Sequence, residues 1–356
     1  MCSLKILTFI SIILLNQLLG FSQKISLGLL DSVKVRVPQG FYFEEATDSS
    51  LVFFNGVSEE LLLYNFENQL FEKISINKNL TKTHSSVGQV KCSRLSFIHY
   101  SEKEKFLLYR NSGGSIFLYD IQNQEKKRLY SNIHGIQCYT KFDTTWLIGR
   151  NLNQKKIYRL AIYEKKIMKS ETFSCNIPIN SEAWWFYYPY YYLTYLNDTI
   201  IGLQYNFNPT IFLYHTKYKD FTGIVHSPIA IVYNDSIQPY FPTKRYLKWH
   251  DNIHFNAMRR NHYMPIKRIE IDGTILFFQN VLLPNVQENV TTIFERDDVF
   301  NIHLSQFVLF DQYFNPIYLS SPTHATFLAL NSGLLCSWFW DKNTKEFVIT
   351  RYKLIF

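Results

Sequence analysis

His250 and His254 stand four residues apart, a spacing that on a helix would aim both imidazoles at one metal ion. The residues around them alternate as in a strand, where that spacing separates side chains by about 13 Å. No Glu completes an HExxH arrangement. His254 and His262 flank a turn, and a hairpin is the other route by which two imidazoles could meet. Ser75 and Lys78 match SxxK, but at the end of an expected strand and without the partner motifs that chemistry needs. Asp297-Asp298 is a pair of adjacent carboxylates, and neighbours on a strand face opposite ways, so a surface turn accounts for it. No GxSxG, phosphate-cradling glycine loop or EF-hand pattern occurs. The chain is therefore expected to hold no metal and no cofactor. A catalytic site would have to be an acid/base pair assembled from distant strands, which leaves no local motif.

Residue types suited to recognition are more plentiful. Trp184-Trp185-Phe186-Tyr187-Tyr188-Pro189-Tyr190-Tyr191-Tyr192 is a run of rings, and Gln238-Pro239-Tyr240-Phe241-Pro242-Thr243-Lys244-Arg245-Tyr246 mixes rings with cations. His84-Ser85-Ser86-Val87-Gly88 and Arg94 form a third, more polar stretch. Flat rings with a hydrogen-bonding edge stack on sugars or grip peptide side chains, and Arg adds a fork for carboxylate or phosphate. The candidate ligand-binding residues are Trp184, Trp185, Tyr187, Tyr240, Lys244, Arg245, His84 and Arg94. The competing reading is core packing, because part of 184–195 must be a strand with alternate residues buried. Arg259-Arg260 reads as a solvated turn.

The elements that must carry these residues are strands. The 356-residue chain is 47% hydrophobic and 17% aromatic, with 30 Phe and 25 Tyr, and only 19% charged. That composition supports a large core, excludes wholesale disorder and favours the pleated surface of a sheet. Ile116-Phe117-Leu118-Tyr119-Asp120 and Ile211-Phe212-Leu213-Tyr214-His215 are close copies of one unit, and Leu61-Leu62-Leu63-Tyr64-Asn65 resembles them. Weaker copies begin at Ile157, Ile266, Phe307 and Phe347. Each follows another strand, beginning near Leu51, Phe106, Trp146, Ile200, His254, Ile293 and Leu334, and each is followed by a polar tip and a third strand. A repeat of about 40 residues holding roughly four strands is the mark of a propeller blade. An all-β fold is expected, a single β-propeller over 23–356 with seven blades favoured and six possible. A β-sandwich pair or β-helical array is the alternative. Residues 24–37 have strand character without a hairpin partner, while the last copy runs into Phe356 short of a fourth strand. The N-terminal strand is expected to supply it and close the ring.

The copies are spaced by about 41 or about 55 residues. The surplus falls at 77–94, 174–192 and 227–246, in crossings from the outer strand of one blade to the inner strand of the next. Such crossings share one side of a propeller, and loops on a rigid scaffold carry binding. The three aromatic or polar stretches are thus expected on one loop-rich face.

Residues 1–22 read as a secretory signal: Lys5, the apolar run Ile6 to Leu15, and a small-residue site at Gly20-Phe21-Ser22. The run is short for a membrane span. Cys2 precedes it, so no lipid-attachment cysteine follows. A periplasmic or secreted chain is expected, without an integral membrane segment after cleavage. The later cysteines, Cys92, Cys138, Cys175 and Cys336, form no CxxC, and Cys336 in its apolar run reads as a buried free thiol. The net charge of +8 is modest and scattered, which argues against nucleic acid.

With its leader, its size and the units Leu61 to Ile76, Ile116 to Tyr130 and Ile211 to Val225, the chain resembles exported bacterial β-propeller families of the six- or seven-bladed, NHL-like and uncharacterised type. The resemblance implies a rigid disc with a binding face and, for most such relatives, no established catalysis. The Asp-box of bacterial sialidases is absent. A monomeric, non-enzymatic binding module for a glycan, peptide or protein partner is expected. The alternatives are a polysaccharide hydrolase or lyase with carboxylates at the channel mouth, and a structural docking platform.

Overall fold

The computed structural model describes residues 25–76, 95–111, 114–131, 133–141, 144–151, 156–174, 191–205, 208–229, 261–284, 303–330, 333–341 and 343–356. Every regular element among them is a strand. β1 (Ser26–Val35) is followed by four antiparallel meanders in chain order. The first is β2 (Tyr42–Ala46), β3 (Ser50–Asn55), β4 (Glu60–Asn65) and β5 (Phe71–Ser75). The second is β6 (Ser96–Ser101), β7 (Phe106–Arg110), β8 (Ile116–Asp120) and β9 (Glu125–Tyr130). The third is β10 (His134–Lys141), β11 (Thr144–Asn151), β12 (Lys156–Tyr163) and β13 (Lys166–Ser174). The fourth is β14 (Tyr191–Tyr195), β15 (Ile200–Tyr205), β16 (Thr210–His215) and β17 (Asp220–His226). β18 (His262–Tyr263), β19 (Lys267–Ile271), β20 (Thr274–Pro284), β21 (His303–Phe310) and β22 (Pro316–Leu319) share a fifth sheet. β23 (Thr326–Ala329), β24 (Leu335–Asp341) and β25 (Glu346–Ile355) form a sixth, in which β1 pairs antiparallel with β25 from Ser26↔Ile355 to Val35↔Phe347.

The fold is all-β and of the β-propeller class, with six blades among the described residues. This corrects the seven-blade expectation. The copies at Ile266 and Phe307 were expected to be separate blades, yet both belong to the fifth sheet. β20 is 11 residues long. Its first half pairs with β19, from Ile271↔Thr274 to Lys267↔Phe278, and its second half with β18 at Val281 and Leu282. β21 lies along its other side, from Phe277↔Phe310 to Pro284↔His303. One long strand thus holds two short ones end to end, and the β19–β20 hairpin imitates a blade in the sequence. The strands expected near His254 and Ile293 lie outside the described residues.

The chain forms two compact units. One, built on Arg36–Asn206 and Ile211–Ile224, carries the first four meanders; the other carries β1 and the fifth and sixth sheets. In the first unit, alternation along each middle strand sorts side chains to opposite neighbours. From β7, Leu107 and Tyr109 pack with Val52, Phe54, Leu61 and Leu63 of the first sheet, while Phe106 and Leu108 pack with Leu147, Leu160 and Ile162 of the third. β8 divides likewise: Tyr119 to one side, Ile116 and Leu118 to the other. Ile148 and Ile157 then meet Leu193, Ile201, Leu203 and Tyr214 of the fourth sheet. Strands buried on both faces must be apolar at nearly every position, which is why the repeat reads Ile-Phe-Leu-Tyr instead of alternating with polar residues. Outer strands are charged: β9 (EKKRLY) is exposed over its first four residues, a composition that discourages edge pairing. In the second unit, Phe278, Phe307 and Leu309 pack against Phe327, Leu335 and Leu354.

The polar tip after each copy is a side-chain-capped turn. Asn65 Oδ1 accepts from the N–H groups of Glu67 (2.8 Å) and Asn68 (3.2 Å), and Asp120 Oδ1 from those of Gln122 (3.0 Å) and Asn123 (3.2 Å). Asp341 and the imidazole of His215 cap Asn343 and Lys217 in the same way. Each turn then passes through one left-handed residue: Gln69 (φ 58°), Gln124 (57°), Lys219 (57°) and Lys345 (55°). Asp120 also receives Lys165 Nζ (2.8 Å) from the β12–β13 turn of the next blade. Burial opposes ionisation of Asp120, but the bonds from Lys165 and Asn123 outweigh it and hold the carboxyl below its ordinary value.

The tyrosine that ends the repeat has a second task. Tyr119 Oη donates to the carbonyl of Ser75 (3.2 Å), the last residue of the preceding blade's outer strand, and Tyr214 Oη donates to the carbonyl of Ser174 in the same relation. Tyr119→Phe and Tyr214→Phe should each cost about 1 kcal/mol in denaturant unfolding, with an unchanged m-value, because one hydrogen bond is lost and the ring stays. Asp120→Asn keeps the turn cap and loses the charge that faces Lys165. It should destabilise by about 1–3 kcal/mol at pH 7. A carboxylate whose folded pKa is depressed contributes above its unfolded value and loses that contribution as pH falls through the folded one. The difference between variant and wild type, followed by urea melts, should therefore shrink below about pH 4 and vanish at lower pH.

Candidate functional site

A cleft of about 650 Å³ opens in the first unit between the first two blades. It is lined by the start of β2 (Gly40, Tyr42, Glu44), the β3–β4 turn (Phe54, Asn55, Gly56, Val57) and the entry to β6 (Leu95, Ser96, Phe97). Volumes of 300–1,000 Å³ are usual for small-ligand sites.

Local sequence explains each wall. β2 carries a bulge between Phe43 and Glu45, so Glu44 falls out of the ladder with β3. Bulges re-aim side chains. Here two adjacent carboxylates are sent to different places: Glu44 lines the cleft, and Glu45 turns to the next blade. β6 has its own bulge at the corresponding place, between Phe97 and His99. Phe54 is buried and Phe97 half-buried, with ring centroids 6.0 Å apart at 53°, so the floor is two tilted rings. Tyr42 is 40% exposed at the rim. Asn55 Oδ1 accepts from the N–H groups of Val57 and Ser58, both at 3.0 Å, which fixes the β3–β4 turn. Gly40 has φ 89°, and a Cβ there would stand 2.7 Å from Asn55 Nδ2. At Gly56 the Leu95 N–H donates to its carbonyl at 2.9 Å, and an added Cβ would fall 2.0 Å from the Leu95 carbonyl oxygen. The chain can re-enter at β6 against this turn only because residue 56 has no side chain.

Beside the cleft, Glu45 joins the inner strands of the two blades. Its Oε2 lies 3.2 Å from His99 Nδ1 and accepts the Tyr100 N–H at 3.2 Å. Cys138 on β10 is half-buried and free, and its thiol is pushed well above its ordinary pKa by burial and then by the charge of Glu45. Cys336 is free and fully buried, its pKa pushed up to about 12 by burial, as expected for a packing residue. Neither thiol is activated as a nucleophile, since it is the thiolate that attacks. Among the described residues, no group of three His, Cys, Asp or Glu could hold a metal, and no helix is long and apolar enough to cross a membrane.

The eight residues singled out from the sequence, Trp184, Trp185, Tyr187, Tyr240, Lys244, Arg245, His84 and Arg94, lie outside the described residues, as do His250, His254, Asp297, Asp298, Lys78, Cys92 and Cys175. His262 begins β18, opposite Leu282, and the Ser75 carbonyl takes the Tyr119 bond. The cleft stands where the first long crossing ends: residue 94 precedes Leu95 in its wall. Tyr42, Glu44 and Phe97 were missed in the sequence. The signal that could have found them is Tyr42-Phe43-Glu44-Glu45, where two acids in succession break a strand's alternation.

No protein-family model matches the sequence, and no curated protein matches it either. Similar solved structures include the β-propeller domain of Cps50 (Swd1) from Myceliophteria thermophila, at 9% identity over 91% of this chain and 99% of that one, with a TM-score of 0.40. A chain of the mitotic checkpoint complex is 7% identical over 93% and 94%, with a TM-score of 0.42. A luciferin-regenerating enzyme is 10% identical over 91% and 95%, with a TM-score of 0.42. These scores are all below 0.5, so the fold assignment rests on sheet order and register.

Gly56→Ala should destabilise the protein by about 1–3 kcal/mol in urea unfolding, the usual cost of overpacking. The same change at Gly273, where a Cβ meets nothing within 4 Å but φ is 78°, should carry only the cost of a left-handed alanine, about 1 kcal/mol.

Proposed function

We propose that this protein is an exported, non-enzymatic binding module that recognises its partner on the side where the chain crosses from blade to blade. The observation that carries this reading is the lining of the cleft at the first crossing: Tyr42, Phe54 and Phe97 supply rings, Asn55 and Ser96 hydrogen-bonding groups, and Glu44 a carboxylate. Rings with a few fixed polar groups make a recognition surface. Glycoside hydrolysis by either stereochemical route uses two carboxyl groups about 5–9.5 Å apart. Of the ten described lining residues, Glu44 alone is a carboxylate, which supports binding over hydrolysis. Trp184, Trp185, Tyr187 and Tyr240, read from the sequence as candidate ligand-binding residues, belong to the same proposed recognition role. Residues 1–22 are the export signal of this proposal, and the mature chain acts alone.

Glycan and peptide arrays probed with the mature protein test this. Tyr42→Ala and Phe97→Leu should each lower the signal of the bound class by about tenfold or more, as loss of a ring at a binding hot spot does. Melting temperatures should stay close to wild type for Tyr42→Ala, whose ring is exposed. Wild-type array signals from both variants would remove the cleft from the recognition surface.

A further inference from the structure

Three oxidisable rings form one stack between the third and fourth blades. Tyr139 of β10 and Trp146 of β11 are direct cross-strand partners, with ring centroids 6.2 Å apart and planes 5° apart. The Tyr139 ring lies on that of Tyr195 of β14, with 3.7 Å between centroids at 8°, which is van der Waals contact. All three strands belong to the same compact unit. Trp146 and Tyr139 are half-buried, and Tyr195 is buried at 5% exposure. Electron transfer falls off steeply with distance, so rings in contact are the easiest route for an electron between side chains. The other stacked pairs between described residues are Tyr109–Phe117, Phe277–Phe314 and Phe307–Tyr318. Each contains a Phe, which gives no electron to oxidants that take one from Tyr or Trp.

A phenol loses an electron easily only if its proton leaves as well, so the acceptor of the hydroxyl decides which Tyr can serve. Tyr119, Tyr214 and Tyr263 donate to backbone carbonyls, which are too weakly basic to take a proton. Tyr195 Oη donates to a carboxylate, Asp198 Oδ1, at 2.8 Å. Burial, and then the bond to Asp198, pushes the Tyr195 pKa up, so the hydroxyl keeps its proton at neutral pH until the ring is oxidised. Asp198 is ionised there, since the bonds from Lys141 and Tyr195 hold its carboxyl below the ordinary value. An oxidised phenol is a strong enough acid to protonate even this carboxylate. The Asp198 side chain is 69% exposed, which opens a way for the proton to water. At the other end of the stack the Arg159 guanidinium lies 5.3 Å from the Trp146 ring centroid. A fixed cation over the indole disfavours a second positive charge on it, and Glu171, which pairs with Arg159, offsets only part of that effect. The two ends thus set a direction, from Trp146 towards Tyr195, for an electron vacancy.

We propose that Tyr195 is a one-electron oxidation site, fed from Trp146 through the Tyr139 ring, with Asp198 as the acceptor of its proton. The oxidant is a diffusing one-electron acceptor of the oxygen-centred radical class. It takes one electron at half-buried Trp146 and is itself reduced by that electron. Trp146 recovers an electron from Tyr195 by way of Tyr139. The O–H bond of Tyr195 breaks, and its proton bonds to Asp198 Oδ1. What remains is a neutral Tyr195 phenoxyl radical, a protonated Asp198 and an intact Trp146. The site is separate from the cleft, and neither requires the other.

Flash photolysis of the mature protein, with a ruthenium tris-bipyridine oxidant generated by the flash, tests the proposal. Transient absorption and freeze-quench electron paramagnetic resonance tell tyrosyl from tryptophanyl radicals. In the wild type, part of the tryptophanyl signal should decay into a tyrosyl signal, and more slowly in deuterium oxide. Trp146→Phe and Tyr195→Phe keep a ring in place, and each should abolish this conversion. The double variant should lose no more than either single one, a result that independent oxidation of other rings cannot imitate. Asp198→Asn leaves Tyr195 an oxygen to bond but no base to protonate, and at an exposed position it leaves the fold intact. It should slow the conversion. A conversion that survives Tyr195→Phe, or losses from the two single variants that add, would overturn the assignment of Tyr195. A wild-type rate in Asp198→Asn would overturn the role of the carboxylate.

Discussion

The structure depends on one constraint: a four-stranded meander with apolar residues on both faces of its middle strands cannot be stable alone. Leu107 and Tyr109 need the first sheet, and Phe106 and Leu108 need the third. At about 1.5–3 kcal/mol for each fully buried large side chain, the interfaces between blades, more than anything within a blade, make up the core. The same demand fixes the composition of the repeat. A strand covered on both sides has few positions for a polar residue, Arg159 in β12 and Gln279 in β20 among them, and at the strand's end the polar residue becomes the cap of a turn.

Sheets packed face to face bring their ends into contact, and the polar tethers follow from that. Ser50 Oγ reaches Glu102 at 3.2 Å, Lys165 reaches Asp120, and Lys141 Nζ lies 2.6 Å from Asp198 Oδ1, each a link from one blade to its neighbour. The hydrogen bond from Lys141, with that of Tyr195, holds the Asp198 carboxyl below its ordinary value. Tyr119 and Tyr214 bind the carbonyl with which the preceding blade ends. The cleft has a similar origin. Where the chain returns from its first crossing, Leu95 must meet the β3–β4 turn at Gly56, and the bulges in β2 and β6 splay the flanking residues apart. The space left between them is lined by whatever those bulges expose, which is Tyr42, Glu44 and Phe97.

Much of this is legible in the residues. Ile116-Phe117-Leu118-Tyr119-Asp120 and its relatives announce a buried strand followed by a capped turn, and the regular recurrence of such units implies repeated small sheets. The count of blades is less legible. β19 and β20 satisfy every local criterion for a new unit, since hairpin geometry depends on a few residues. Their membership in one sheet with β21 depends on how far β20 extends, and that is set by pairing with residues of a later strand, from Phe277↔Phe310 to Pro284↔His303. The cleft was illegible for a related reason. A bulge is an offset between two strands, so Tyr42-Phe43-Glu44-Glu45 cannot show from its own residues which acid will face outwards. The long crossings drew attention instead because their rings are many and contiguous.

The sequence by itself determined that the protein is built of strands, that its middle strands are buried on both faces, that each copy of the repeat ends in a polar tip, and that Cys336 is a packing residue. These are consequences of side-chain size, polarity and local hydrogen bonding, which act over a few residues. Only the tertiary structure decided that the blades number six among the described residues, that Glu44 and Glu45 serve different neighbours, and that an aromatic cleft stands at the entry to β6. Those outcomes depend on register and on contacts between residues far apart in the chain, where the free energy comes from surfaces that do not exist until the sheets have met.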